Sequence, residues 1–180
     1  MIAFDGMSNI SSLDSARATQ QLEGLIGLLI DAVQGGASVG FVEPLEKLQA
    51  ATYWQGVIAD LARGSRVLLI AELNGRTVGT GQLVLESRAN APHRAEVSKV
   101  LVHSSARRRG VGLALMQALE REALSRHRTL LHLDTRAGDG AEALYKAVGY
   151  TPIGGIPNWA RHPSTDALEA NAIFYKVLKP

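Results

Sequence analysis

The stretch AEVSKVLVHSSARRRGVGLALMQA, Ala95 to Ala118, predicts a β-strand, a short basic turn and the beginning of an α-helix. The turn has the spacing Arg-x-x-Gly-x-Gly, formed by Arg107, Gly110 and Gly112. Backbone N–H groups at a helix start point outward and carry partial positive charge, so this arrangement suits a diphosphate. Two more arginines, Arg108 and Arg109, lie at the same helix start. Because the helix dipole disfavours cations there, their presence indicates a bound anion.

The composition favours a single globular domain over residues 1–180. Hydrophobic residues make up 46 % of the chain, which is enough for a core and too many for a disordered protein. The 19 basic and 17 acidic residues give a net charge of +2, so no global basic field argues for a nucleic-acid partner. Cysteine is absent, which excludes disulfides, thiolate metal sites and a cysteine nucleophile.

The N-terminal sequence MIAFDGMSN lacks the basic and apolar regions of a secretory signal. The longest apolar stretch, near Leu25 to Ile30, is flanked by Glu23 and Asp31 and is too short to span a membrane. We therefore expect a cytoplasmic protein with neither a membrane nor nucleic acid as a partner.

Hydrophobic periodicity and turn residues predict an alternation of helices and strands. Helices are expected over 18–34, from Pro44 to near Gly64, over 110–126 and from Asp139 or Gly140 to Gly149. Strands are expected near 7–12 and over 66–72, 77–85, 95–103, 130–135, 150–154 and 172–178, with loops at 35–41 and 156–170. Apolar residues do not alternate in strand 95–103, which indicates burial on both faces or a bulge. The order predicts one α/β or α+β domain on a mixed sheet.

Two motifs together resemble those of the GNAT superfamily of N-acetyltransferases. The first is Gln/Arg-x-x-Gly-x-Gly/Ala between a strand and a helix, present as Arg107, Gly110 and Gly112. The second is a helix of the form Ala-x-x-Leu-Tyr-x-x-x-Gly-Phe, present as AEALYKAVGY, Ala141 to Tyr150, with Tyr for the final Phe. The resemblance covers about 18–178. It implies a mixed, mostly antiparallel sheet of about six to seven strands flanked by about four helices, with a splayed strand pair that binds acetyl-CoA.

The resemblance implies transfer of an acetyl group from acetyl-CoA to a small amine, by direct attack in a ternary complex and without a metal. The segments GGASVGF, RAEVSKVLVHSSARRRGVG, LLHLDT and AEALYKAVGY are similar to those of the tabtoxin-resistance acetyltransferases within the superfamily. Their acceptor is the amine of a β-lactam amino-acid toxin, so toxin or antibiotic resistance is the expected role. Dimers are common in the superfamily, and we expect that a homodimer can form.

Two positions depart from the family pattern. The residue after Arg107 is commonly Gly and is Arg108 here, so we expect a less compact turn. An Asn often found seven residues before the tyrosine is Gly138 here, which removes an expected polar contact with the arm of the cofactor.

The implied cofactor site lies on the irregular strand, the basic turn and the tyrosine helix. Its residues are Val100, Leu101, Val102, Arg107, Arg108, Arg109, Gly110, Val111, Gly112, Ala141 and Tyr145. Backbone groups of the strand would face the pantetheine and the thioester oxygen, as in an oxyanion hole. In the family the tyrosine lies by the sulfur and can protonate the departing thiolate. The alternative is that Tyr145 is a core tyrosine bonded to a backbone carbonyl.

Two carboxylates are candidates for accepting the proton of the acceptor ammonium. Asp134 shares a strand face with His132 and lies near the C-terminal end of the strand, where ligands bind in such sheets. Glu96 is the rival on the neighbouring strand, at a position often acidic in the family. Asp134 ranks first because the closer resemblance includes LDT there. A water chain, or a purely structural role for either carboxylate, is the alternative.

Two loops, 35–41 and 158–171, are the expected walls of the acceptor site. The residues expected to contact the substrate are Ser38, Val39, Phe41, Trp159 and Arg161. Trp159, Arg161 and His162 would supply stacking and charge suited to a carboxylate-bearing substrate. Either loop could instead be a simple connection.

Two other classes of function compete with acetyl transfer as interpretations of the sequence. A non-catalytic acyl-CoA sensor needs the basic turn but not Tyr145 together with Asp134, whose joint presence argues against it. A nucleic-acid binder using the arginine cluster conflicts with the near-neutral charge and with an aromatic content of 5 %.

Overall fold

The structure, a computed structural model, describes residues 9–179 and has a seven-stranded mixed sheet at its centre. The strands of the sheet are β1 (Asn9–Leu13), β2 (Arg66–Leu73), β3 (Arg76–Leu85), β4 (Arg94–Val102), β5 (Leu130–Arg136), β6 (Thr151–Gly154) and β9 (Asn171–Val177). Their spatial order is β1-β2-β3-β4-β5-β9-β6, and only the β4–β5 pair is parallel. Two short strands, β7 (Ala160–Arg161) and β8 (Leu168–Glu169), form a separate hairpin.

Helices cover both faces of the sheet. They are α1 (Ser15–Gln20), α2 (Leu22–Gln34), α3 (Lys47–Ala62), α4 (Val111–Ser125) and α5 (Ala141–Ala147). One buried apolar cluster joins α4 and α5 to one face, and a second joins α1, α2 and α3 to the other. The alternation of β2 separates the two clusters, because Leu68 and Ile70 belong to the second while Val67 and Leu69 belong to the first.

Strands β4 and β5 pair only at their beginnings and then separate. Their parallel register runs from Arg94 opposite Leu130 to Glu96 opposite His132, and no further pair follows. The second halves of both strands therefore diverge, and a cleft opens between them. This is the splayed pair that the sequence predicts, and the predicted fold class is confirmed.

Strand β4 contains a bulge, which is one of the two explanations that the sequence leaves open for its irregular apolar pattern. The register of the β3–β4 pair shifts between Thr80 and Gln82, opposite Lys99, whose φ of 48° lies in the left-handed region. A bulge inserts one extra residue into a strand, so the side chains that follow it point to the opposite faces from those that regular alternation would give. It explains why the apolar residues of this strand do not alternate.

Several details differ from the sequence prediction. The helix expected over 18–34 is interrupted at Gln21, which leaves helical geometry while its side chain accepts a 3.1 Å bond from the Thr77 hydroxyl, so five helices replace about four. Pro44 precedes α3, whose start is set by a reciprocal capping box between Glu46 and Gln49. The loop expected over 156–170 contains the β7–β8 hairpin.

Other boundaries differ by one or two residues. The expected first strand falls partly on residues 7 and 8, which lie outside the described residues. Within residues 9–179, no helix combines the length and the apolar character needed to cross a membrane.

Candidate active site

The cleft between β4 and β5 widens into a cavity of about 860 Å³. It is bounded by the loop after α2, the bulged half of β4, the first turn of α4, the start of α5 and the β7–β8 hairpin. The predicted residues that line it are Ser38, Val39, Glu96, Val100, Leu101, Val102, Arg107, Arg108, Gly110, Val111, Gly112, Asp134, Ala141, Tyr145 and Trp159. The fold therefore brings most of the predicted site into one space. Arg109, Phe41, Arg161 and His132 do not line the cavity.

The basic turn presents backbone N–H groups to the cavity. Arg108 has φ 61° and Gly110 has φ 80°, so the chain passes through two left-handed residues before α4 begins at Val111. The N-cap, Gly110, has no side chain, and no other side chain of residues 9–179 caps the helix. The first N–H groups of a helix have no partner within it, so those of α4 are available to an anion. The start of α4 therefore fits a diphosphate.

Arg108 stands where the family commonly has Gly, and its backbone conformation bears on the less compact turn expected from that difference. An arginine there adopts the left-handed conformation that glycine enters without a steric penalty. The turn is therefore not opened by the arginine, and the strain is carried by the backbone of this residue.

Arg107 is turned toward the protein. Its Nε donates a 3.1 Å hydrogen bond to the carbonyl of Val102, the last residue of β4. A Cβ placed on Gly35, after α2, would lie 2.9 Å from Arg107 Nη2, so the guanidinium occupies the space that this glycine leaves open. Arg107 thus ties the end of β4 to the end of α2, while Arg109 is exposed outside the cavity.

Tyr145 is buried in α5 and borders the cavity. Its ring lies 5.8 Å from that of Phe174 and 6.2 Å from that of Tyr150. Burial, together with the nearby carboxylates of Asp139 and Asp134, raises the pKa of Tyr145 to about 12. The hydroxyl therefore keeps its proton at neutral pH and can donate a hydrogen bond.

The two candidate bases lie on the same face of the sheet, one on each of the two strands that border the cleft. Glu96 lies opposite His132, at the point where the β4–β5 pairing ends. Asp134 lies two residues after His132 on β5. Asp134 is exposed to the cavity and accepts a 3.3 Å hydrogen bond from Asn171 Nδ2. Asn171 is almost fully buried, and its Oδ1 accepts a 2.8 Å bond from the N–H of Ile156. Sequence reasoning did not identify Asn171, since no local pattern marks it.

Sequence reasoning did not name Lys99, and it expected Phe41 and Arg161 at the cavity, where the structure does not place them. Lys99 borders the cavity, with Nζ 5.5 Å from the centroid of the Tyr53 ring. Phe41, expected at the cavity, instead packs edge-on against Tyr53 at 5.5 Å. Arg161, also expected there, lies off the cavity beside Asp166 at 3.4 Å.

Arg136 joins the segments at the end of the cavity between the loop after α2 and the β7–β8 hairpin, which is called the acceptor end below. Its Nη1 donates to the carbonyl of Gly36 at 3.1 Å and lies 3.5 Å from Glu169 Oε2 on the hairpin. Its Nη2 lies 3.4 Å from Asp139 Oδ2, before α5. One guanidinium therefore joins three cavity walls. Within residues 9–179, no group of three or more His, Asp or Glu side chains is placed to hold a metal ion.

Comparison with known proteins gives consistent results. The profile of the Acetyltransferase (GNAT) family matches residues 27–150. An uncharacterized N-acetyltransferase from the hisH–hisA intergenic region of Azospirillum brasilense is 33 % identical over 120 residues, which span 66 % of this chain and 70 % of that protein.

Solved structures share the fold at lower identity. The ribosomal-protein-alanine N-acetyltransferase of Brucella melitensis superposes with a TM-score of 0.76 at 23 % identity, over 94 % of this chain and 99 % of that one. A Salmonella typhimurium protein solved with its cofactor acetyl-CoA superposes with a TM-score of 0.74 at 18 % identity, over 96 % and 95 % of the two chains.

Proposed function

This chain belongs to the acetyltransferase (GNAT) family, and we propose that its acceptor is the primary amine of a small molecule. As a member it is an acetyl-CoA-dependent N-acetyltransferase. Acetyl-CoA supplies the thioester carbonyl carbon to which the amine nitrogen bonds as the carbon–sulfur bond breaks.

The bonds between the β7–β8 hairpin and the loop after α2 are the observation that carries the proposal. The N–H of Glu43 donates a 2.8 Å bond to the carbonyl of Pro163, and the hydroxyl of Ser164 donates a 2.9 Å bond to the Glu43 carboxylate. Together with Arg136, these bonds join the hairpin to the loop after α2. A hairpin held in this way restricts the approach of a folded protein terminus more than that of a small molecule, which supports a small acceptor.

The proposed roles follow from the positions of the side chains. Asp134, held by Asn171, or Glu96 takes the proton of the acceptor ammonium, directly or through water. The turn before α4 binds the diphosphate through N–H groups, and Arg108 adds charge. Attack in a ternary complex is favoured because donor and acceptor sites share one cavity.

Tyr145 acts mainly as a hydrogen-bond donor to the leaving sulfur. Its pKa of about 12 exceeds that of a thiol, about 8.5, so complete transfer of its proton is uphill by about 5 kcal/mol. A donated hydrogen bond needs no such transfer. It stabilises the negative charge that develops on the sulfur, and the thiolate then takes its proton from solvent.

Two other acceptor assignments are weighed against this one. A β-lactam amino-acid toxin is a small amine of the proposed class, and it stays a prediction from the sequence resemblance. The similar protein from Brucella melitensis is a ribosomal-protein-alanine N-acetyltransferase, and by analogy the acceptor here would be a protein. A non-catalytic sensor is disfavoured, because Tyr145, Asp134 and Glu96 converge on one cavity.

A CoA-release screen tests the proposal. The panel contains amino acids, polyamines, β-lactam amino acids and peptides with free N-termini. We expect turnover with at least one small amine and none with peptides longer than the cavity. Turnover with peptides or folded proteins alone would overturn the small-molecule assignment. Tight acetyl-CoA binding without any turnover would favour the sensor.

A further inference from the structure

Lys99 occupies the bulge of β4 and borders the cavity. The hydroxyl of Thr80 donates a 3.1 Å bond to the Lys99 carbonyl, which holds the bulge in place. A bulge turns a side chain away from the direction that strand alternation would give it. Here it sends the Lys99 side chain to the face of the sheet covered by α3, where the ring of Tyr53 lies.

The ammonium of Lys99 lies over a fixed aromatic platform. Tyr53 packs edge-on against Phe41, and its hydroxyl lies 3.1 Å from Gln82 Nε2 and 3.3 Å from Gln82 Oε1. Gln82 is fully buried and accepts a 2.7 Å bond from Arg66 Nη1. The ring therefore has little freedom, and it restricts the position of the ammonium at 5.5 Å from its centroid.

The ammonium has no direct anionic partner in the described chain. Among residues 9–179, no carboxylate lies within the 4.0 Å of an ion pair with Lys99. Burial lowers the pKa of Lys99, the carboxylates of Glu96 and Asp134 raise it, and Arg66 lowers it further. The two acidic groups are thus near enough to interact with Lys99 through space, yet they leave its N–H donors available.

We propose that Lys99 binds a carboxylate of the acceptor, which is therefore a small molecule carrying both an amine and a carboxylate. This inference rests on the proposed function. Glu96 and Asp134 attract the ammonium end of such a molecule, and Lys99 attracts its carboxylate end. The separation of the two charges then decides which amine reaches the thioester. Arg161, which the sequence suggested for a carboxylate, lies outside the cavity.

The test compares acids with their uncharged amides. L-Alanine, L-lysine and L-ornithine are each paired with the corresponding carboxamide, and acetylation is measured for the wild type, Lys99→Met and Lys99→Arg. The quantity compared is the ratio of kcat/KM for acid over amide. Differences in intrinsic amine reactivity cancel when this ratio is compared between variants. Lys47→Met is the control, because Lys47 is exposed and pairs with Glu23 away from the cavity.

We expect Lys99→Met to lower the acid-over-amide ratio by about 10-fold or more, through the acceptor KM, with the acetyl-CoA KM unchanged. Lys99→Arg should restore at least part of the preference, because it restores the cation; a general base would not be replaced by arginine. Lys47→Met should keep the wild-type ratio. An unchanged ratio in Lys99→Met, or an equal loss on acids and amides, would overturn the proposal.

The two proposals fail in distinguishable ways. If the wild type acetylates no amine, the proposed function fails. Lys99 is then judged by calorimetric titration of the same acids and amides into the CoA-loaded protein. Tighter binding of the acid to the wild type than to Lys99→Met supports the carboxylate site, and equal binding to both overturns it.

Discussion

Asn171 donates a 3.3 Å hydrogen bond from Nδ2 to the Asp134 carboxylate, across the neighbouring strands β9 and β5. The same amide accepts a bond from the N–H of Ile156, so it cannot rotate freely. Asp134 is otherwise exposed to the cavity. The orientation of the first-ranked candidate base is therefore set by a residue from the last strand of the sheet.

Asn171→Ala should reduce kcat/KM for the acceptor by about 10-fold, since a hydrogen bond to a charged group contributes about 1.5–3 kcal/mol. Affinity for acetyl-CoA should be unchanged. In an Asp134→Asn background the same substitution should have little further effect, because the group it orients is gone. Steady-state kinetics of the double-mutant cycle provides the measurement. Asn90→Ala, in an exposed loop, is the matched control, and additive losses in the cycle would contradict a positioning role.

Tyr145→Phe should lower kcat by about 10- to 100-fold while the dissociation constant of acetyl-CoA changes little, because the lost hydrogen bond is made to the departing sulfur. Single-turnover kinetics and equilibrium titration separate these two quantities. Tyr150→Phe is the control: Tyr150 is also buried, does not line the cavity and has no hydroxyl partner within residues 9–179. An unchanged kcat in Tyr145→Phe would remove the donor role.

The raised pKa of Tyr145 also predicts an alkaline effect on stability. The folded protein holds the phenolic proton up to about pH 12, whereas the unfolded chain releases it near pH 10. The folded state therefore binds more protons between these values, and the free energy of unfolding falls as pH rises through the window. Tyr145→Phe should reduce that fall by up to about 3 kcal/mol over the whole window, of which about half is expected between pH 9 and pH 11. Urea unfolding at pH 9 and at pH 11 measures the free energy of unfolding of both proteins. An equal fall between the two pH values in the wild type and in Tyr145→Phe would contradict the prediction.

Sequence reasoning found the parts of the site that local pattern determines. The broken alternation of β4 left either a bulge or burial on both faces open, and the structure has the bulge. The spacing Arg-x-x-Gly-x-Gly predicted a helix start, which is that of α4. The period of β5 predicted the face that Asp134 occupies. Each of these depends on a few adjacent residues.

Long-range contacts were not predictable in the same way. Arg136 bonds to Gly36, one hundred residues away, and nothing near Arg136 signals that partner. Lys99 adopts a left-handed conformation without the Gly or Asn that would mark it. The β7–β8 hairpin has strands of two residues each, too short for an alternating pattern. The acceptor end is built mainly from such contacts, which is why the sequence identified the donor more sharply than the acceptor.

Arg136→Gln should weaken acceptor binding more than chemistry. The substitution removes the charge that joins Gly36, Glu169 and Asp139, so the hairpin is expected to separate from the loop after α2 more often. We predict a 3- to 10-fold higher acceptor KM, about 1 kcal/mol, with a smaller change in kcat. Hydrogen exchange should become faster over residues 156–170.

Arg161→Gln is the control for this prediction. It lies on the same hairpin, but its partner Asp166 is almost fully exposed, so the pair contributes little. Its acceptor KM should change less than 2-fold, within the small effect of an exposed ion pair. Equal effects of the two substitutions would show that Arg136 does not join the walls.

Arg108→Gly should separate stability from cofactor affinity. Arg108 has φ 61°, a conformation that costs an ordinary L-residue about 1–2 kcal/mol and glycine almost nothing. Glycine also increases the entropy of the unfolded chain, which offsets part of the gain, so we expect a net stabilisation of about 0.5–1 kcal/mol in urea unfolding. The lost charge at the diphosphate turn should weaken acetyl-CoA binding a few-fold, and more at low salt than at high salt.

Arg109→Gly is the matched control for this prediction. Arg109 has no positive φ and lies outside the cavity, so the Arg109→Gly protein should lose stability and keep its affinity for acetyl-CoA. A loss of stability in Arg108→Gly equal to that in Arg109→Gly would show that the arginine turn stores no strain.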